Sequence, residues 1–137
     1  MRTTKNAPKH VPLCDAVIHN DLKEFNELIA SGVDVDERDY NNLPALFYAC
    51  QNGQYEMAKS LIQNGANIEI KDRFGKTPLS MAVFRYNVNN SVSDGKLIKL
   101  LIDAGADINA KNIAGVSPLS LARTIAGFPF LDLFEQK

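Results

Sequence analysis

Leu61-Ile62-Gln63-Asn64-Gly65-Ala66-Asn67-Ile68-Glu69-Ile70-Lys71-Asp72-Arg73-Phe74-Gly75-Lys76-Thr77-Pro78-Leu79-Ser80-Met81-Ala82 is the stretch whose reading decides the fold. The apolar pair Leu61 and Ile62 is followed by Gly65, where a helix C-terminus needs a residue that tolerates positive φ. The residues after it read as an extended hairpin. Thr77 then offers a hydroxyl as N-cap, and Pro78 stands at the first helical position, where its missing N–H breaks no intrahelical bond. The stretch is therefore the end of one helix, a hairpin and the start of the next. It recurs. Ser31-Gly32-Val33-Asp34-Val35-Asp36 precedes it and Ala104-Gly105-Ala106-Asp107-Ile108-Asn109 follows it; Gly32 and Gly65 are 33 residues apart, Gly65 and Gly105 are 40 apart.

Other positions keep the same register. Thr77-Pro78-Leu79 and Ser117-Pro118-Leu119 open helices, and Ala16, Ala49, Ala82 and Ala122 occupy one inner-helix position. Leu28-Ile29, Leu61-Ile62 and Leu101-Ile102 close the outer helices. Asp39, Asp72 and Asn112 each stand three residues before Asn42, Gly75 and Gly115. A repeat near 33 residues with a Thr-Pro-Leu helix start resembles the ankyrin repeat. The resemblance covers nearly the whole chain and implies an all-α ankyrin-repeat solenoid of stacked helix-turn-helix units with β-hairpin loops. Its expected parts are a basic, disordered tail at 1–10 and a repeat domain at 11–137. The repeats run at about 11–42, 43–75 and 76–115, with a truncated cap at 116–137.

Within each repeat the helical pattern is direct. Leu13, Ala16 and Val17 give an i, i+3, i+4 stripe, and Phe25, Leu28 and Ile29 turn inward while Lys23, Glu24 and Glu27 face water. Leu46, Ala49 and Cys50, then Met57, Ala58, Leu61 and Ile62, do the same in the second repeat. That repeat departs from the family at its start, since Leu43-Pro44-Ala45-Leu46 lacks the hydroxyl cap. The family's histidine after Pro-Leu is absent throughout: Cys14, Phe47, Ser80 and Ser120 stand there, so its side-chain hydrogen bond is expected to be missing. The third repeat carries seven extra residues around 87–94, whose Asn/Ser-rich sequence predicts a lengthened surface loop opposite the hairpins, with room for an extra turn of inner helix before it. In the last unit Phe130, Leu131 and Phe134 are expected to pack on the third repeat; Phe128 and Leu133 are read as part of a hydrophobic C-terminal closure, with exposure as a contact surface the alternative.

Composition sets outer limits. A chain of 137 residues with 45% hydrophobic and 23% charged content suits one globular domain, and its net charge of −1 makes no whole-protein case for nucleic acid or anionic membrane. Cys14 and Cys50 form no Cys-x-x-Cys pair and read as buried, reduced side chains. Together with the lack of an apolar leader behind Met1, this predicts a cytoplasmic protein without membrane segments. Residues 12–37 hold seven acids against Lys23, read as the polar end of the stack.

Motifs for catalysis are missing: there is no Gly-rich phosphate loop, no nucleophile turn and no clustered metal ligands. Asp34-Val35-Asp36 has counterparts in Asn67-Ile68-Glu69 and Asp107-Ile108-Asn109, which marks it as repeat architecture and not a calcium loop. The expectation is a non-catalytic protein with no cofactor and no metal, a monomer on its own.

Binding can be localised. In ankyrin proteins the hairpin tips and the exposed edges of the inner helices form a concave recognition surface, and by resemblance its residues here are named. The first repeat offers Ile18, His19, Arg38, Tyr40, Asn41 and Leu43. The second offers Gln51, Asn52, Lys71, Arg73, Phe74 and Lys76. Phe84, Arg85, Lys111, Ile113 and Ala114 complete the row. Six cations interleaved with Tyr40, Phe74 and Phe84 predict a protein partner with an acidic surface. Two other readings stand beside it. Short ankyrin proteins resemble immunity proteins that neutralise a cognate bacterial toxin, and a basic aromatic strip is also compatible with nucleic acid, although the acidic first repeat opposes this.

Overall fold

The computed structural model describes residues 10–89, 92–125 and 127–135; the tail at 1–9 and the centre of the extra segment at 90–91 lie outside the described residues. Eight helices follow in order: α1 Pro12–Ile18, α2 Leu22–Ala30, α3 Ala45–Gln51, α4 Tyr55–Gln63, α5 Pro78–Asn89, α6 Val92–Asp103, α7 Pro118–Thr124 and α8 Leu131–Glu135. The inner helices α1, α3, α5 and α7 pack one on the next, each outer helix packs on its own inner helix, and α8 closes against α6 and α7.

Alanine makes the close inner row feasible. Ala16, Ala49, Ala82 and Ala122 are all buried, and at each a larger side chain would have to push neighbouring helices apart. The outer helices supply the bulk: Phe25, Leu61, Leu97, Ile98 and Leu101 are fully buried. Leu28, in register with Leu61 and Leu101, is only partly buried.

Helix starts follow local chemistry. Thr77 Oγ1 accepts from Ser80 N at 3.2 Å. Ser117 and Ser120 form a full capping box, with Ser120 Oγ accepting the Ser117 N–H at 2.9 Å. Ser120 thus makes a side-chain bond at the position of the family's histidine, so the expected loss is only partial. α3 begins behind Pro44 with no side-chain cap, as the sequence implies.

The loops are tight turns, and no strand occurs among the described residues. Asp72 N donates to Lys76 O at 3.0 Å and Gly75 N to Asp72 O at 2.9 Å, which closes the turn. The Asp72 carboxylate takes the N–H groups of Phe74 and Lys76 at 2.9 and 2.8 Å. Those N–H groups point inward to a side chain, so no β ladder extends from the turn. Asp39 and Asn112 repeat the arrangement on Asn41 and Leu43, and on Ala114 and Val116. Gly75 has a second reason to lack a side chain beyond its φ of +79°: a Cβ there would lie 3.1 Å from Asn112 Cα of the next turn.

Among the described extra residues, 87–89 continue α5 as the extra turn of inner helix, and 92–94 begin α6 earlier than the loop reading placed it. α5 has 12 residues where α1, α3 and α7 have 7, and α6 has 12 where α2 and α4 have 9. Tertiary packing overrides the breaker-rich sequence. Tyr86 near the end of α5 is buried, and Phe128 and Phe130 meet its ring edge-on at 5.3 and 5.4 Å. Phe130 lies directly over Gly95, where a Cβ would sit 2.1 Å from the ring. Phe128 is buried in this cluster with Phe134, in keeping with a hydrophobic C-terminal closure, and Leu133 is half-buried.

Cys14 and Cys50 are both free and buried. Cys14 Sγ donates to Leu43 O at 3.6 Å, and burial, reinforced by Asp39, Asp15 and Glu37, pushes its pKa up to about 12. Burial likewise raises the Cys50 thiol, and burial with a hydrogen bond to Asp39 raises the Tyr48 phenol. Each of these groups folds more readily neutral than ionised. For Cys14 that contribution is therefore complete below the unfolded thiol value of 9.0 and is lost as pH rises toward about 12, with Cys50 losing its share from the same starting value and Tyr48 from the ordinary phenol value of 10.0. Urea midpoints should stay level up to pH 8 and fall steadily above pH 9, while both thiols resist iodoacetamide in the native state and react once urea unfolds the chain.

The turn side chains differ in what they hold. Asp39 also accepts the buried Tyr48 hydroxyl at 2.6 Å, whereas Asn112 serves only two backbone N–H groups. Asp39→Ala should cost about 2–4 kcal/mol and Asn112→Ala about 1 kcal/mol, read from denaturant unfolding.

Candidate protein-binding surface

The first two turns and the inner helices behind them enclose an open groove of about 560 Å³. It gathers Tyr40, Asn41, Leu43, Gln51, Arg73, Phe74 and Lys76, all expected from the sequence, and adds Phe47 and Met81, which the sequence reading missed. Phe47 stands at the family's histidine position, and Met81 lies one turn ahead of Phe84 on α5.

Cations and rings interleave at the groove's edge. The Arg73 guanidinium lies 5.0 Å from the Phe74 ring centre, and Lys76 Nζ sits between two rings, 5.8 Å from Phe74 and 5.9 Å from Phe84. Phe74 and Phe84 are 43% and 48% exposed, so neither serves the core. Among the described residues no acid forms an ion pair with Arg73 or Lys76. Ile113 N donates to Phe74 O at 2.9 Å, which ties the third turn to the second and places the exposed Ile113 next in line. Arg38, Lys71 and Lys111 are exposed on the same three loops.

Several candidates have other surroundings. Arg85 is occupied: its Nε donates to Asp94 Oδ1 at 2.9 Å, its Nη1 reaches Gln51 O at 3.4 Å, and its guanidinium fills the space over Gly53. Asn41 Nδ2 donates to the Tyr48 hydroxyl at 2.9 Å and steadies the first turn. Asn52 caps α3 and lines a separate groove with Asn20, Gln54 and Lys96, where inner helix turns into outer helix. His19 lines a small recess with Asp15, Asp21 and Glu24 on the acidic first repeat. Ile18 is exposed on α1, outside the groove.

Among the described residues no group of three or more His, Cys, Asp or Glu side chains could hold a metal ion, and no helix is long and apolar enough to cross a membrane.

The register of turns, caps and buried alanines is that of stacked ankyrin repeats, and comparison agrees. The family described as ankyrin repeats (3 copies) matches residues 13–112, and the chain belongs to it. A crystal structure of an ankyrin repeat domain from Acinetobacter baumannii AYE superposes with a TM-score of 0.84 at 26% identity, over 93% of this chain and 64% of that one. The potassium channel KOR1 of Oryza sativa subsp. japonica is 40% identical over 75 residues, 55% of this chain and 8% of that protein. The potassium channel SKOR of Arabidopsis thaliana is 35% identical over 71 residues, 52% of this chain and 9% of the channel. Ankyrin repeat protein OPG189 of Variola virus is 36% identical over 76 residues, 56% of this chain and 13% of that protein. The chain thus spans only a small part of each of these curated relatives. Ankyrin repeats are general protein-interaction modules, and their scaffold is typically non-catalytic.

Exposed cations on this face should separate by role. Asp94 is buried to 1% exposure, so Arg85→Ala strands a buried carboxylate and should destabilise the fold by about 3 kcal/mol. Arg73→Ala should leave stability within about 0.5 kcal/mol in the same denaturant assay.

Proposed function

We propose that this chain is a non-catalytic binding module that holds another protein against the groove between its first two turns. The observation that carries the reading is the Phe74–Lys76–Phe84 sandwich with Arg73 over Phe74. Two exposed rings and two cations that have no acidic partner among the described residues are free for a partner, and Arg and aromatic side chains are the types that concentrate binding energy at interfaces. Their charge favours an acidic partner surface, whose encounter would be accelerated electrostatically and slowed by salt. A cytoplasmic setting belongs to the same proposal and rests on the two free, buried thiols.

Affinity capture from lysate of the native host, followed by mass spectrometry, tests this reading. The wild-type chain should retain a protein that the equally stable variant Arg73→Glu/Lys76→Glu loses by at least about tenfold, with association slowing between 50 and 500 mM salt. An unchanged set of retained proteins, or salt-insensitive association, would contradict it. Displacement of the captured protein by unrelated polyanions would favour nucleic acid instead.

A further inference from the structure

The lengthened α5 gives this face a feature that the other inner helices lack. Met81, Phe84 and Val88 fall at i, i+3 and i+7 along α5, so they share one side of the helix over about two turns. Val88 is 65% exposed and Phe84 48%, while Met81 is half-buried at the groove. In register with Phe84, α3 has the exposed Gln51 and α7 the exposed Thr124. The position of Val88 falls beyond the last residue of both those helices, so Val88 has no counterpart there. On α1 that register holds the exposed Ile18, but Gln51 of α3 stands between it and α5, so the α5 ridge runs between polar flanks on its two neighbouring helices.

Charge marks one end of the ridge. Lys76 stands beside Phe84 and Arg73 beside Phe74 at the turn end. Toward Val88, the one cation within α5 is Arg85, and Asp94 neutralises it. A strand could join this surface only at a sheet edge, and the described residues contain none. A helix is the shape that matches an i, i+3, i+7 ridge, and water excluded from such a strip by a polar rim is the setting in which apolar anchors count most.

Building on the binding role proposed above, we infer that the α5 ridge docks an amphipathic helix of the partner protein. That helix covers Phe84 and Val88 with apolar residues one turn apart, and its acidic end lies over Lys76 and Arg73.

Selection of a displayed library of random 16-residue peptides against the immobilised chain tests the inference without knowledge of the partner. Enriched peptides should carry apolar residues at i, i+3 or i, i+4 spacing with two or more acids toward one end, and should be helical when bound. Their affinity should fall at least about tenfold for Phe84→Ala/Val88→Ala and for Lys76→Glu, and should hold for Leu22→Ala, a change at an exposed apolar site on the outer helix α2. Since all these side chains are accessible, unchanged thermal midpoints certify the fold of each variant. Peptides without acids or without the apolar spacing would overturn the inference, as would affinity indifferent to Phe84→Ala/Val88→Ala or a library that yields no binder. The inference alone fails if such peptides still depend on Arg73 and Lys76; the binding role itself fails only if host capture also ignores those two cations.

Discussion

Short side-chain acceptors that take backbone N–H groups hold this stack in register. Asp34, Asn67 and Asp107 each accept the N–H two residues on. In the first two loops the next acceptor then reaches across the repeat boundary: Asp36 takes the N–H of Asn67 at 2.8 Å, and Glu69 takes that of Asp107 at 2.7 Å. A loop with few backbone partners of its own is thereby fixed to its neighbour at a constant height. The turn tips inherit that rigidity through Asp39, Asp72 and Asn112. Exposed rings and cations on the tips are consequently presented without the ordering cost that mobile loops incur on binding.

The third repeat shows how an insertion can alter a repeat stack without interrupting it. Its extra residues lengthen both helices, and the added surface is used on two sides. On one, Tyr86 and the space above Gly95 receive Phe128 and Phe130, so the segment before α8 covers the third repeat with an aromatic cluster. On the other, Val88 extends the apolar edge of α5 toward solvent. Arg85 and Asp94 fasten the two lengthened helices together and tie them back to Gln51 of the second repeat.

The framework was legible because it repeats. Gly65, Asp72, Gly75, Thr77, Pro78 and Ala82 each have counterparts at fixed offsets, and a residue type that recurs at a bend or a buried contact declares its role. The turn geometry of Asp39, Asp72 and Asn112 could be placed from register alone. What does not repeat was harder to read. Asn87 to Asp94 is rich in residues that compete for backbone hydrogen bonds, and nothing local announces that Tyr86 and Phe130 will hold the helix there. Arg85 looked like another cation of the recognition row because its partner, Asp94, lies in the segment that breaks register. The hydrophobic closure around Phe128 was expected, but the surface that buries it is built by the insertion and could not be placed from register.

A backbone-amide NMR titration is the most direct test of where this protein does its binding. With the ¹⁵N-labelled chain and its captured partner, the account predicts shifts and broadening centred on Phe74, Lys76 and Phe84 and extending to the tips at Tyr40 and Ile113, while the outer helices α2, α4 and α6 stay unperturbed. Perturbations centred on the outer helices, with the three turn tips unchanged, would contradict it.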